Sequence, residues 1–101
     1  MTLKKLKTLL DGTGLPVAYG FFEQPQTLPY IVYEVTGSDN FAADNKVWLA
    51  KNRIQIDLYT KNKDLETEAK VENALASVFW EKSEEYIESL HCMQVVYEIE
   101  V

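Results

Sequence analysis

YIVYEVTGSDNFAADNKVWLAKNRIQIDLYT, residues 30–60, is the stretch that decides how this chain folds. Tyr30 to Thr36 is β-branched or aromatic at nearly every position and reads as a strand. Both of its faces are largely apolar, which places it centrally in a sheet. Gly37-Ser38-Asp39-Asn40 opens a polar loop that runs to about Asn45. From Lys46 to Thr60 the chain is strand-like again. Ile54, Ile56 and Leu58 fall on one face, and Arg53, Gln55, Asp57 and Tyr59 on the other, the alternation of a half-buried strand.

Upstream, Leu3, Leu6, Leu9 and Leu10 recur at helical spacing with lysines on the other side, so residues 2–11 read as a short amphipathic helix. Asp11-Gly12-Thr13-Gly14 ends it. Val17, Tyr19 and Phe21 alternate as in a short strand, and Pro25 and Pro29 bracket a segment that cannot be a central strand.

Downstream, Lys61-Asn62-Lys63-Asp64 is a turn, and Asp64 is placed to cap the helix that follows. The spacing predicts a helix from Leu65 to Trp80 with an apolar stripe of Leu65, Ala69, Leu75, Ala76 and Phe79, and a Glu66–Lys70 pair on its surface. Residues 84–89 read as a short strand. Cys92 to Val101 reads as the last, with Met93, Val95, Tyr97, Ile99 and Val101 on one side and Gln94, Glu98 and Glu100 on the other. This order predicts one α+β domain over residues 1–101: an antiparallel or mixed sheet of about four strands with two helices packed on one face. Its core should join Ile54, Ile56 and Leu58 to Leu65, Leu75 and Phe79.

Composition narrows the function. A chain of 101 residues with 47% hydrophobic and 26% charged residues can bury one thin core, and oligomerisation is a common remedy for marginal stability. Twelve aromatics, Trp48 and Trp80 among them, supply apolar area to a core or to an interface. Sixteen carboxylates against ten Lys and Arg give a net charge of −6, which disfavours binding to nucleic-acid phosphates and to anionic membranes. Lys4, Lys5 and Lys7 form the only basic cluster and read as a solvated helix face. The single cysteine, Cys92, can form no intrachain disulfide. No stretch is apolar for long enough to cross a bilayer, and the N-terminus lacks signal-peptide character.

Residues that could carry chemistry are few. His91 is the only histidine, and it reads as a turn residue beside a buried structural cysteine, since neighbours in a strand point to opposite faces. The strand carboxylates Glu34, Asp57, Glu98 and Glu100 could converge as in a nuclease or glycosidase, but no accompanying lysine or phosphate loop is present, and they read as a solvated acidic face. Gly12-Thr13-Gly14-Leu15 follows a helix and does not fit a dinucleotide or phosphate loop. Asp39, Asn40, Asp44 and Asn45 lack the spacing of a calcium loop. No catalytic, cofactor or metal site is expected. Phe41, amid polar residues of the loop, either meets a partner or tucks back onto its own domain. Asp39, Asn40, Phe41 and Asp44 are therefore the candidate interaction residues, and Asp57, Glu98 and Glu100 a candidate acidic lining.

Three segments carry a resemblance: Leu28-Pro29-Tyr30-Ile31-Val32-Tyr33 leading to Ser38-Asp39-Asn40-Phe41-Ala42-Ala43-Asp44-Asn45-Lys46; Gln55-Ile56-Asp57-Leu58-Tyr59-Thr60 before the helix; and Tyr86-Ile87-Glu88-Ser89 with Tyr97-Glu98-Ile99. Together they resemble the small head–tail joining, or tail completion, proteins of tailed bacteriophages and prophages of Gram-positive bacteria, from about residue 3 to the C-terminus. The resemblance implies a non-catalytic virion protein, made in the host bacterial cytoplasm, that closes the tail tube or joins it to the head. It also implies contacts with other tail or connector proteins and, as in related tail terminators, a ring that is commonly hexameric. The helix from Asp64 to Trp80 varies among such proteins and carries no functional weight. A small acidic binding module or inhibitor is the alternative that the residues leave open.

Overall fold

The computed structural model describes the backbone of all 101 residues and every side chain except those of Ala43 and Trp48, so the aromatic area expected from Trp48 lies outside the described residues. Thr2 opens the first helix by accepting the Lys5 N–H, and α1 runs Leu3–Asp11 with Leu6 and Leu10 buried. β1 (Val17–Tyr19) pairs parallel with β2 (Tyr30–Ala43), which pairs antiparallel with β3 (Lys46–Thr60). Asp64 caps α2 (Leu65–Ala74) through the Thr67 N–H and hydroxyl, as its position before the apolar run predicts. β4 (Trp80–Ile87) and β5 (Cys92–Glu100) complete a mixed five-stranded sheet in the order β1-β2-β3-β5-β4.

The α+β class is as expected from the sequence, and so is the chain order of the elements. Register explains the core. Ile31, Tyr33 and Val35 stand opposite Leu58, Ile56 and Ile54, which in turn face Val95, Tyr97 and Ile99. One continuous apolar face results, closed by Leu6 and Leu10 of α1 and by Val71 and Leu75 at α2. Both helices therefore cover the same side of the sheet.

Three expectations are corrected. The helix after Asp64 stops at Ala74, and the run from Trp80 to Ile87 is an edge strand, because β5 needs a second partner and Trp80 packs edge-on against Tyr97 at 5.6 Å. The buried side of α2 is Thr67, Glu68 and Val71, continued by Leu75 at its C-cap; Leu65 (68% exposed) and Phe79 (80% exposed) lie outside the core. Glu68 can be buried there because Lys82 on β4 and Lys63 in the turn both reach it.

The third correction concerns the polar segment from Gly37. It is no loop: β2 and β3 run on as a single hairpin of 14- and 15-residue strands. The reversal is made at Asp44 (φ 52°) and Asn45 (φ 62°), left-handed at both central positions as a tight two-residue hairpin turn requires. Aspartate and asparagine tolerate that conformation better than other side chains do.

Candidate functional site

Two features of the surface stand apart from the core: the distal half of the hairpin and the sheet face that the helices leave bare. β5 accompanies β3 only as far as Asn52, where backbone bonds of 2.8 and 3.0 Å join it to Val101. Residues 38–51 thus project as a two-stranded arm, and the molecule measures 49 × 27 × 26 Å. Phe41 stands directly opposite Leu49, and Ala42 opposite Val47. Phe41 (54%), Leu49 (42%) and Val47 (62%) are all substantially exposed. A two-stranded ribbon in water is marginally stable and normally gains a third strand or a covering layer.

A bulge sets which way this arm faces. Val35 pairs with Ile54, but Gly37 pairs with Arg53, so Thr36 is an extra residue and the side-chain parity of β2 reverses there. Gly37, Asp39 and Phe41 consequently share a side with Arg53, Lys51 and Leu49, continuous with the helix-free face of the sheet. Arg53 lies across Gly37, where a Cβ would come within 2.5 Å of its guanidinium, and its Nε reaches Asp39 at 3.5 Å. Of the candidate interaction residues, Asp39 and Phe41 therefore sit together on one side of the arm. Asn40 points to the other, and Asp44 makes the turn.

The helix-free face is acidic. By register it carries Glu34, Asp57, Glu81, Glu85, Glu98 and Glu100 against the single guanidinium of Arg53. Glu98 and Glu100 are exposed on β5, next to Gln55 and Arg53 of β3. Asp57 shares the face but lies deeper, 5% exposed, with Gln55 Nε2 donating to its Oδ1 at 2.9 Å. At the root of the arm, Thr36, Arg53, Phe79, Glu81, Glu98 and Glu100 border a shallow concavity of about 390 Å³.

His91 takes a left-handed turn conformation (φ 49°) after a short 3-10 segment, and Cys92 beside it is buried with its thiol pushed up by desolvation, as inert structural cysteines are. Among the described residues, no cluster of three or more His, Cys, Asp or Glu side chains could hold a metal ion.

No protein-family model matches the sequence, and no curated protein matches it. A solved structure does. A chain from the virion of a native gene transfer agent particle superposes with a TM-score of 0.63 at 13% identity, covering 98% of this chain and 90% of that one. The two chains share a fold.

Sequence reasoning located Phe41 but missed Leu49, its partner on the same side of the arm, Val47, which stands with Ala42 on the other side, and Phe79 at its root. The available signal was Asp44-Asn45, two residues able to take positive φ between segments that could pair across them.

Proposed function

We propose that this protein is a non-catalytic structural component of a phage-like virion, placed at the head–tail junction or the tail end, where it closes or joins the tail tube through protein–protein contacts. The observation that carries this reading is the projecting arm with Phe41, Val47 and Leu49 exposed on an uncovered two-stranded ribbon. The fold shared with a gene transfer agent virion chain over nearly the whole length supports it. A ring of copies, with connector and tail proteins on either side as partners, would cover such arms and compensate for a thin core.

Replacing Phe41 with Ala tests the arm. Because Phe41 lies outside the core, the expected change in stability is within about 0.5 kcal/mol, while joining of heads to tails in a complementation assay is blocked. Normal assembly with that variant removes the arm from the mechanism.

The acidic face has its own role in this reading. A channel that passes DNA without holding it is served by carboxylates, which repel phosphate over about 8 Å at physiological salt. Glu98 and Glu100 are the exposed members of such a lining, and Asp57 lies buried beside them. The double variant Glu98→Lys/Glu100→Lys is expected to fold and to join tails, yet to slow or stall DNA ejection from finished particles. Ejection kinetics equal to wild type would leave the carboxylates a solubility role alone.

A further inference from the structure

A second concavity of about 390 Å³ opens on the helix-free face, and it is built differently from the first. Its walls include Phe21, Phe22, Tyr30, Glu34, Asp57 and Tyr59. Register fixes the floor: Tyr30 stands opposite Tyr59 and Val32 opposite Asp57, with Glu34 one step further along β2. The rings of Tyr30 and Tyr59 stack at 5.1 Å and 28°, and Phe22 meets Tyr30 edge-on at 5.4 Å. The segment between β1 and β2 carries Phe22 and the exposed Phe21 to the rim.

Asp57 is the telling residue. It is 95% buried, lines this concavity and, among the described residues, takes part in no ion pair. The guanidinium nearest on the same strand, Arg53, is turned toward Asp39. Burial pushes the Asp57 carboxyl above its ordinary range, Gln55 and Gln94 offset part of that by hydrogen bonding, and the charge of Glu34 adds to it. The Tyr59 phenol is pushed up to about 12, by burial and then by Asp57. A carboxylate withdrawn from water without a cation is costly, and an incoming positive charge would offset that cost. Aromatic faces next to carboxylates are the surroundings that favour a guanidinium or ammonium group on an aliphatic stem.

We propose that this concavity is a receptor for one cationic side chain, an arginine or lysine presented by a neighbouring protein subunit, its charged head held between the Tyr30–Tyr59 stack and the carboxylates of Asp57 and Glu34. Charge complementarity selects the occupant, since this face of the sheet carries six carboxylates against Arg53, with only Asp39 and Lys51 following on the arm. The proposal deepens the assembly reading by naming what a neighbour inserts, but its test uses the isolated protein and does not depend on any place in a virion.

The test is a titration followed by the amide NMR signals of residues 30–34 and 55–59. Three probes are compared: a blocked Gly-Arg-Gly peptide, the same peptide with norleucine for arginine, and n-butylguanidinium chloride. The arginine peptide and butylguanidinium are expected to shift these signals saturably, half-complete on the order of 1–10 mM, and the norleucine peptide to leave them in place. Asp57→Asn, which keeps the shape, is expected to weaken the response about tenfold, and Glu34→Gln, at an exposed position that threatens no fold, by a smaller factor. An equal response to the norleucine peptide, or an undiminished one in both variants, would overturn the proposal. So would the absence of saturation up to about 100 mM. Binding of butylguanidinium without the arginine peptide would overturn the assignment to a protein subunit.

Discussion

Ile56→Ala is expected to destabilise the protein by about 2–5 kcal/mol, a large share of what a domain of this size possesses. Ile56 is completely buried at the centre of the sheet, opposite Tyr33 on β2 and Tyr97 on β5. Leu6, Leu10, Val71 and Leu75 belong to the same cluster, so truncation leaves a hole in the packed layer between sheet and helices. A denaturant titration reads the effect as a lower midpoint with an unchanged slope. Leu65→Ala is the control: at 68% exposure it should move stability by no more than about 0.5 kcal/mol. A loss below about 1 kcal/mol for Ile56→Ala would contradict the packing described here.

The double variant Lys63→Met/Lys82→Met should cost about 3 kcal/mol, at the low end for breaking a buried ion pair because both lysine heads remain partly wet. The Glu68 side chain is 2% exposed, and its two oxygens lie 2.8 Å from Lys63 Nζ and 3.1 Å from Lys82 Nζ. Lys82 also holds Glu72 at 2.9 Å, Lys63 holds Glu84 at 2.7 Å, and the Tyr97 hydroxyl donates to Glu72 at 2.8 Å. Removing one lysine leaves the other to neutralise Glu68, so each single variant should cost much less than half of the double. Adding Glu68→Met to the double variant should restore most of the loss, since the stranded charge is then gone. Thermal melts within about 0.5 kcal/mol of wild type for the double variant would show that the network contributes nothing.

The same network gives a pH dependence of known sign. Burial pushes the Glu72 carboxyl up, but donation from Lys82 and Tyr97 outweighs it and holds the group below its ordinary value of 4.5. A depressed carboxyl stabilises the fold fully above that ordinary value, and the contribution is lost as pH falls through the folded-state value.

What the residues declare locally was legible. Asp64 announced its cap, Leu6 and Leu10 the buried side of α1 (Leu3, on the same expected stripe, is 40% exposed), and the alternation in β3 and β5 told which side chains face inward. The candidate site was legible only in part: Phe41 was visible as an aromatic among polar neighbours, whereas its companions Val47 and Leu49 stood in what read as an ordinary strand. Residues 37–45 looked like a loop because both faces of the arm meet solvent, and a strand with no buried side has no alternation to show.

By itself, then, the sequence determined the order of elements, the inward faces of β3 and β5, and an acidic surplus of six charges, since period and capping are properties of neighbours in the chain. The tertiary structure alone decided the rest. Where α2 stops depended on β5 taking Trp80–Ile87 as its second partner, and the burial of Glu68 depended on a lysine fourteen residues away. That Phe41 faces the acidic side depended on one extra residue at Thr36, a shift of register that exists only when β2 and β3 are paired.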